Sequence, residues 1–363
     1  MLKGSRLNRL LNISRWRRRR DDPVPAPTRK SRALVIILDG TMSSLSPGCE
    51  TNAGLAYRLM QEAGDDVSLF YEPGIQWQNW RSLRDVAIGR GLNRQIRRAY
   101  RWLARNYHPG DRIYLLGYSR GGFAVRSLAG VIDRMGLLRP SRATVDNVRA
   151  LYNFYECDPQ GERGQLFAEA YCHRHVDIEF VGAWDTVKAL GIRLPLIWRL
   201  TENRHAFHST QLGHCVKRGR HALALDETRA VYTPVMWTTA PDEDPDRVEQ
   251  VWFRGTHGDI GGQLGGFAPA RGLSNIPLTW LLEEAEAAGL DLPSGWRLRF
   301  PTDPEAPSTG TWRGIGRIFL IRRPRAVRSD PSERLHETAP PLASGATLLS
   351  LLRPVLPRRR IAK

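Results

Sequence analysis

Apolar positions fall along the chain in two alternating periods. Leu34 to Leu38 (LVIIL) is a continuous apolar run of strand length, as expected of a central parallel strand covered on both faces. Thr51 to Ala63 follows with helical spacing, and Val67 to Tyr71 is a second strand, closing on Glu72-Pro73-Gly74. From Leu83 to Tyr107, the residues Leu92, Ile96, Ala99, Tyr100 and Leu103 recur every three or four positions. This predicts a helix with one face on a sheet and its arginines toward water. A third strand, Ile113 to Leu116, runs into Gly117-Tyr118-Ser119-Arg120-Gly121 and then into the helical Phe123 to Gly130. Residues 131–175 read as a helix-rich insertion. Strands are predicted at Val176 to Val181 and at Val251 to Phe253, with a short helix over His221 to Glu227 between them. Leu278 to Ala288 is an amphipathic helix, and from Trp312 onward the pattern fades. Strands alternating with helices imply an α/β fold with a mostly parallel sheet.

A serine at the tip of a strand-turn-helix unit changes this from a fold into a candidate site. The backbone at such an apex is strained, and side chains two before and two after the serine would collide. Gly117 and Gly121 are therefore the residues the turn needs. Ser119 then points its hydroxyl above the sheet beside the start of a helix, whose amides favour a developing negative charge. A Gly-rich turn with a capping serine fits the same five residues, and the flanking strand and helix favour the nucleophile.

A serine nucleophile needs a base, an acid and an oxyanion site. His257 lies on a glycine-rich stretch, Arg254-Gly255-Thr256-His257-Gly258-Asp259, after a late strand, where an imidazole can reach over a serine. Asp185 follows the Val176 strand at the end where loops converge, although an Asp before Thr-Val also suits a helix N-cap. Asp259 is a rival acid that could instead hold the His257 loop by its amides. For the oxyanion, the backbone N–H of Arg120 and that of Gly40 or Thr41 are the candidates, with Asp39 accepting amides to hold the loop. The order Ser119, Asp185, His257 is that of α/β-hydrolases.

Composition narrows the function classes. Of 363 residues, 41% are hydrophobic and 25% charged, and no apolar run approaches the roughly 18 to 20 residues of a membrane span. The net charge of +17 sits at the ends. Residues 1–32 hold 11 Lys/Arg against two Asp, residues 313–363 hold 12 against three acids, and the remainder comes to −1. The body at 33–312 is thus a near-neutral hydrolase domain, with cap or lid insertions at about 131–175 and 191–220. A basic arm with a Pro-rich linker precedes it and a basic extension follows. The basic ends suit an anionic membrane surface, and nucleic acid is not expected as a partner. Cys49, Cys157, Cys172 and Cys215 lack metal-ligand spacing and read as free thiols, while His205, His208 and His214 read as packing or surface residues. No metal and no cofactor is expected. The N-terminus lacks a signal-peptide core, so a cytoplasmic or membrane-peripheral location is expected, with any export by a signal-less route.

Several stretches together resemble one family: LDGT at Leu38 to Thr41, YEPG at Tyr71 to Gly74, the block from Ala99 to Gly130, WDTV at Trp184 to Val187, HALALDE at His221 to Glu227, and WFRGTHGDIGG at Trp252 to Gly262. These resemble the α/β-hydrolase domain called domain of unknown function 2235, which includes the first class of type VI secretion lipase effectors. The resemblance covers about residues 33–290, with Gly122 where the family usually has alanine. It implies a Ser119, Asp185, His257 triad, favours Asp185 over Asp259, and implies lipase or esterase activity, on phospholipids in secreted members. The expected function is hydrolysis of carboxylic, most plausibly lipid, esters. The alternative is a basic membrane- or nucleic-acid-binding protein on a hydrolase scaffold.

Overall fold

Six consecutive apolar residues form β1 (Ala33–Leu38), and all six are buried. Their side chains alternate between two cores, as a strand covered on both faces requires. Leu34, Ile36 and Leu38 pack with α2 (Arg90–Asn106) and α3 (Arg120–Met135), whereas Ala33, Val35 and Ile37 pack with α1 (Asn52–Met60) and α7 (Arg271–Ala287). Burying each larger aliphatic side chain contributes about 1.5 to 3 kcal/mol, so this strand is the centre of both layers. The computed structural model describes residues 29–74, 90–158, 161–187, 211–312, 316 and 319–341.

The sheet has seven strands in the order β2-β1-β3-β4-β5-β6-β7, and every pairing is parallel. The further strands are β2 (Val67–Glu72), β3 (Arg112–Tyr118), β4 (Ile178–Trp184), β5 (Val216–Ala224), β6 (Val248–Phe253) and β7 (Glu333–Leu335). From β1 the chain steps outward to β2, then crosses back through α2 to β3 on the other side of β1. The strand order therefore reverses between β1 and β3, and a crevice opens there at the carboxyl ends of the strands. The fold is that of an α/β-hydrolase.

Helices α4 (Val145–Cys157) and α5 (Glu162–Tyr171) form the insertion after β3 and extend the α2/α3 core through Leu151, Tyr155 and Phe167. A short helix, α6 (His257–Gly261), follows β6. Buried Asn52 ties it down, donating from Nδ2 to the carbonyls of Ile260 (2.9 Å) and Ser274 (3.0 Å), so one side chain links α1, α6 and α7.

The structure departs from the sequence pattern in three places. His221 to Ala224 is the end of β5, not a helix. Ala and Leu favour helices, but between β4 and β6 this stretch is buried on both faces and ladder pairing overrides the propensity. Helix α7 begins at Arg271 and carries Pro277 inside it, whereas the pattern starts only after the proline. The third departure is β7, which lies in the stretch expected to be a basic extension and adds the seventh strand beside β6. Three further expectations lie outside the described residues: the arm at 1–28, the first part of the Leu83 helix, and the lid stretch at 191–210 with His205 and His208.

Candidate active site

Ser119 stands between β3 and α3 with φ 57° and ψ −118°, a conformation sparsely populated by non-glycine residues. The turn is tight enough to exclude side chains. A Cβ on Gly117 would sit 2.5 Å from the Gly121 carbonyl oxygen, and one on Gly121 would sit 1.9 Å from that of Leu38. Both obstacles are backbone and cannot rotate away. Gly121→Ala is therefore expected to destabilise the fold by about 3 kcal/mol or more. Thermal melting checks this, and an unchanged melting temperature would mean the turn is looser than described.

Ser119 is one end of a buried relay. His257, the first residue of α6, places Nε2 2.9 Å from Ser119 Oγ and Nδ1 2.6 Å from Asp185 Oδ2. An ionised carboxylate can only accept, so Nδ1 carries the proton, Nε2 is the acceptor and the serine hydroxyl donates to it. Ser119, His257 and Asp185 are 7%, 4% and 0% exposed, so these bonds are little disturbed by water. Asp185 follows β4 with φ 40°, and its Oδ1 accepts the Ala224 N–H at 3.0 Å. Burial works to raise its carboxyl. The Arg325 guanidinium, by charge and hydrogen bonds, together with His257, overcomes this and holds Asp185 well below the usual carboxylate range. Arg325 lies in the stretch with no clear sequence pattern.

The loop after β1 is organised by Asp39, which is buried. Its carboxylate accepts from Gly40 N–H (2.6 Å), Thr51 Oγ (2.6 Å) and Tyr71 Oη (2.7 Å). Burial raises its carboxyl, and these bonds offset part of the rise. Of the two loop amides expected to face an oxyanion, that of Gly40 is thus already committed to Asp39. Thr41 N–H and Arg120 N–H, the latter at the head of α3, make no hydrogen bond among the described residues. Gly40 nevertheless lies against the elbow, since a Cβ there would be 2.6 Å from the Tyr118 ring and 3.4 Å from Ser119 Cβ.

Asp259 does not reach the imidazole ring. Its oxygens take Thr256 N–H (2.8 Å), Thr256 Oγ (2.9 Å), Ser308 Oγ (2.5 Å) and Thr309 N–H (2.9 Å), capping α6 and bolting the 308–309 loop onto it. Glu227 accepts the His257 backbone N–H (3.2 Å). Burial would raise its carboxyl, but the Arg229 fork at 2.6 and 2.8 Å lowers it. The His257 ring stacks on Tyr232 (centroids 4.5 Å apart) and faces Tyr118 (5.0 Å). Of these supports, Glu227 and Tyr118 lie in the motif stretches. Tyr232 and Arg325 carry no sequence signal. Among the described residues no group of three His, Cys, Asp or Glu side chains comes together as a metal site, and no described helix is long and apolar enough to cross a membrane.

The model of the type VI secretion system phospholipase effector Tle1-like catalytic domain matches residues 32–284. The chain belongs to this family. The Tle1-like match takes in Ser119, Asp185 and His257 and ends before Arg325. An uncharacterized protein of Saccharomyces cerevisiae is 30% identical over 235 residues, covering 57% of this chain and 33% of its own length. Among solved structures, an uncharacterized protein from Pseudomonas aeruginosa is similar at 18% identity (TM-score 0.44; 76% of this chain, 50% of that one). A Tle1 effector bound to the VgrG spike is similar at 16% identity (TM-score 0.37; 65% and 52%). The chain thus spans a third of the yeast relative and half of the Pseudomonas chain.

Proposed function

We propose that the protein is a serine hydrolase of carboxylic esters, with lipid and phospholipid esters as its substrate class. The observation that carries this is the unbroken relay Asp185–His257–Ser119, ending on a strained turn at the head of a helix. Ser119 Oγ attacks the acyl carbonyl as His257 Nε2 takes its proton. The N–H groups of Arg120 and Thr41 hold the oxyanion, and His257 returns the proton to the departing alcohol. A water then gives its proton to His257 and attacks the acyl-serine. The carboxylic acid leaves and Ser119 recovers its proton.

Membership of a phospholipase effector family favours lipid esters over other acyl substrates. The basic ends would concentrate the enzyme on anionic membranes, an attraction that added salt screens. The test is a panel of short p-nitrophenyl esters, triacylglycerol and phospholipid vesicles with and without anionic lipid. Turnover by the wild type, preference for the lipid esters, and a salt-sensitive rate only on anionic vesicles are expected. A folded wild type that binds vesicles but cleaves nothing in the panel would favour the scaffold-only alternative.

A further inference from the structure

A cation sits on the acid of the relay. The Arg325 side chain is 5% exposed and meets the Asp185 carboxylate end-on, with Nη1 2.6 Å from Oδ1 and Nη2 2.8 Å from Oδ2. Nη1 also donates to the Ala224 carbonyl (2.9 Å) and Nη2 to that of Tyr232, so the guanidinium is fixed by backbone on both sides. Asp185 Oδ2 is shared between Arg325 and His257 Nδ1, and Oδ1 between Arg325 and Ala224 N–H. A serine relay does not require such a fork. The imidazolium formed during the reaction is stabilised by the aspartate charge, which a guanidinium in contact with it partly cancels.

We propose that Arg325 is a positioning residue for the relay: its fork locks the Asp185 carboxylate in the plane His257 needs and lowers the proton affinity of the Asp185–His257 pair, keeping Ser119 activated at mildly acidic pH. The positional half follows from bidentate geometry, which fixes the carboxylate plane in a way that a single bond from Ala224 does not. It also couples the relay to the Tyr232 segment, whose ring stacks on His257. The electrostatic half does not depend on which atom holds the proton. Whether it sits on the carboxylate or the imidazole, a cation in contact with the pair opposes it.

Other groups facing the pair do not titrate in the same range. Glu227 and Arg229 form their own ion pair behind the His257 backbone. His221, which accepts the Thr186 N–H next to Asp185, is pushed down to about 3 by burial and by Arg126. Burial raises the hydroxyls of Tyr118 and Tyr232 above their usual range. The charge of Arg120 reaches Tyr232, and the Asp259 carboxylate is turned away from the ring toward Thr256 and Ser308.

The kinetic arm of the test rests on the ester-hydrolase reading, so an arm independent of turnover accompanies it. The full chain is compared with Arg325→Gln and Arg325→Lys. The first arm is the pH profile of kcat/KM on a short ester, and the second is an NMR pH titration of the His257 ring. For Arg325→Gln, a loss of kcat of about tenfold or more with little change in KM is expected. The acidic limb and the NMR midpoint should both rise by about one pH unit. Arg325→Lys keeps the charge but not the fork, so both midpoints should return toward wild type while kcat recovers only in part. A folded Gln variant with wild-type midpoints overturns the electrostatic half, and full activity in the Lys variant overturns the positional half. Should the Gln variant not fold, the Lys variant decides: wild-type midpoints with reduced kcat support the proposal, and shifted midpoints overturn it. If the wild type cleaves no ester, the NMR midpoints still test Arg325 while the ester-hydrolase reading fails.

Discussion

Ser119→Ala is expected to lower kcat on any cleaved ester by about 10⁴ to 10⁶-fold while leaving the fold intact. The size follows from what the hydroxyl alone supplies. It donates to His257 Nε2 at 2.9 Å, and no other described hydroxyl or thiol contacts that nitrogen. Removing it leaves the oxyanion donors and the binding surface but no atom on which an acyl group can be carried. The small loss in volume at a 7% exposed position costs little stability. Steady-state kinetics with circular dichroism checks both halves, and a folded variant with more than a tenth of wild-type turnover would mean that Ser119 is not the nucleophile.

Asp185→Asn is expected to cost about 10⁴ in kcat and, unlike Ser119→Ala, stability as well. An amide at this position can donate to Nδ1 and so favours the tautomer that turns a proton toward Ser119, which abolishes the base. It also leaves the Arg325 guanidinium buried without its counter-charge, and breaking a buried pair in this way costs about 3 to 5 kcal/mol. The pH dependence has a definite sign. Because the native carboxyl is held below its unfolded value, its stabilisation is fully present above the ordinary aspartate range and is lost progressively as pH falls from there through the depressed native value. The difference in melting temperature between wild type and Asp185→Asn should therefore be flat between about pH 5 and 8 and shrink in strong acid. A difference that fades already near pH 6 would contradict the ion pair.

Much of this site is legible in the sequence because it is made of local rules. The Ser119 turn needs glycines at fixed offsets, β1 needs an unbroken apolar run, and a base must follow a late strand in open surroundings. Each leaves a mark within ten residues. Asp185 and Asp259 are harder to separate, since both follow a strand or a glycine-rich turn. The residues themselves leave both open and the family resemblance favours Asp185; in the fold, Asp185 reaches the ring while Asp259 caps α6. Gly40 and Thr41 are adjacent and small, and what distinguishes them is that Asp39 takes one of the two amides.

Arg325 leaves no mark at all. An arginine among arginines has neither period nor spacing, and its role comes from a fork landing on a carboxylate 140 residues away in sequence. The same holds for β7, three residues long and recognisable only by its pairing with β6. Basic charge in this stretch thus hides structure: part of the expected basic extension adds the edge strand β7 to the sheet and brings the Arg325 guanidinium onto the Asp185 carboxylate.

The central claim is that Ser119 is an activated nucleophile, and active-site labelling tests it most directly. Wild-type protein treated with a fluorophosphonate at neutral pH should gain a single adduct, which peptide mapping places on Ser119. The adduct should be absent from Ser119→Ala and strongly slowed in Asp185→Asn. Folded wild-type protein that stays unlabelled, or an adduct that persists in Ser119→Ala, would contradict the account.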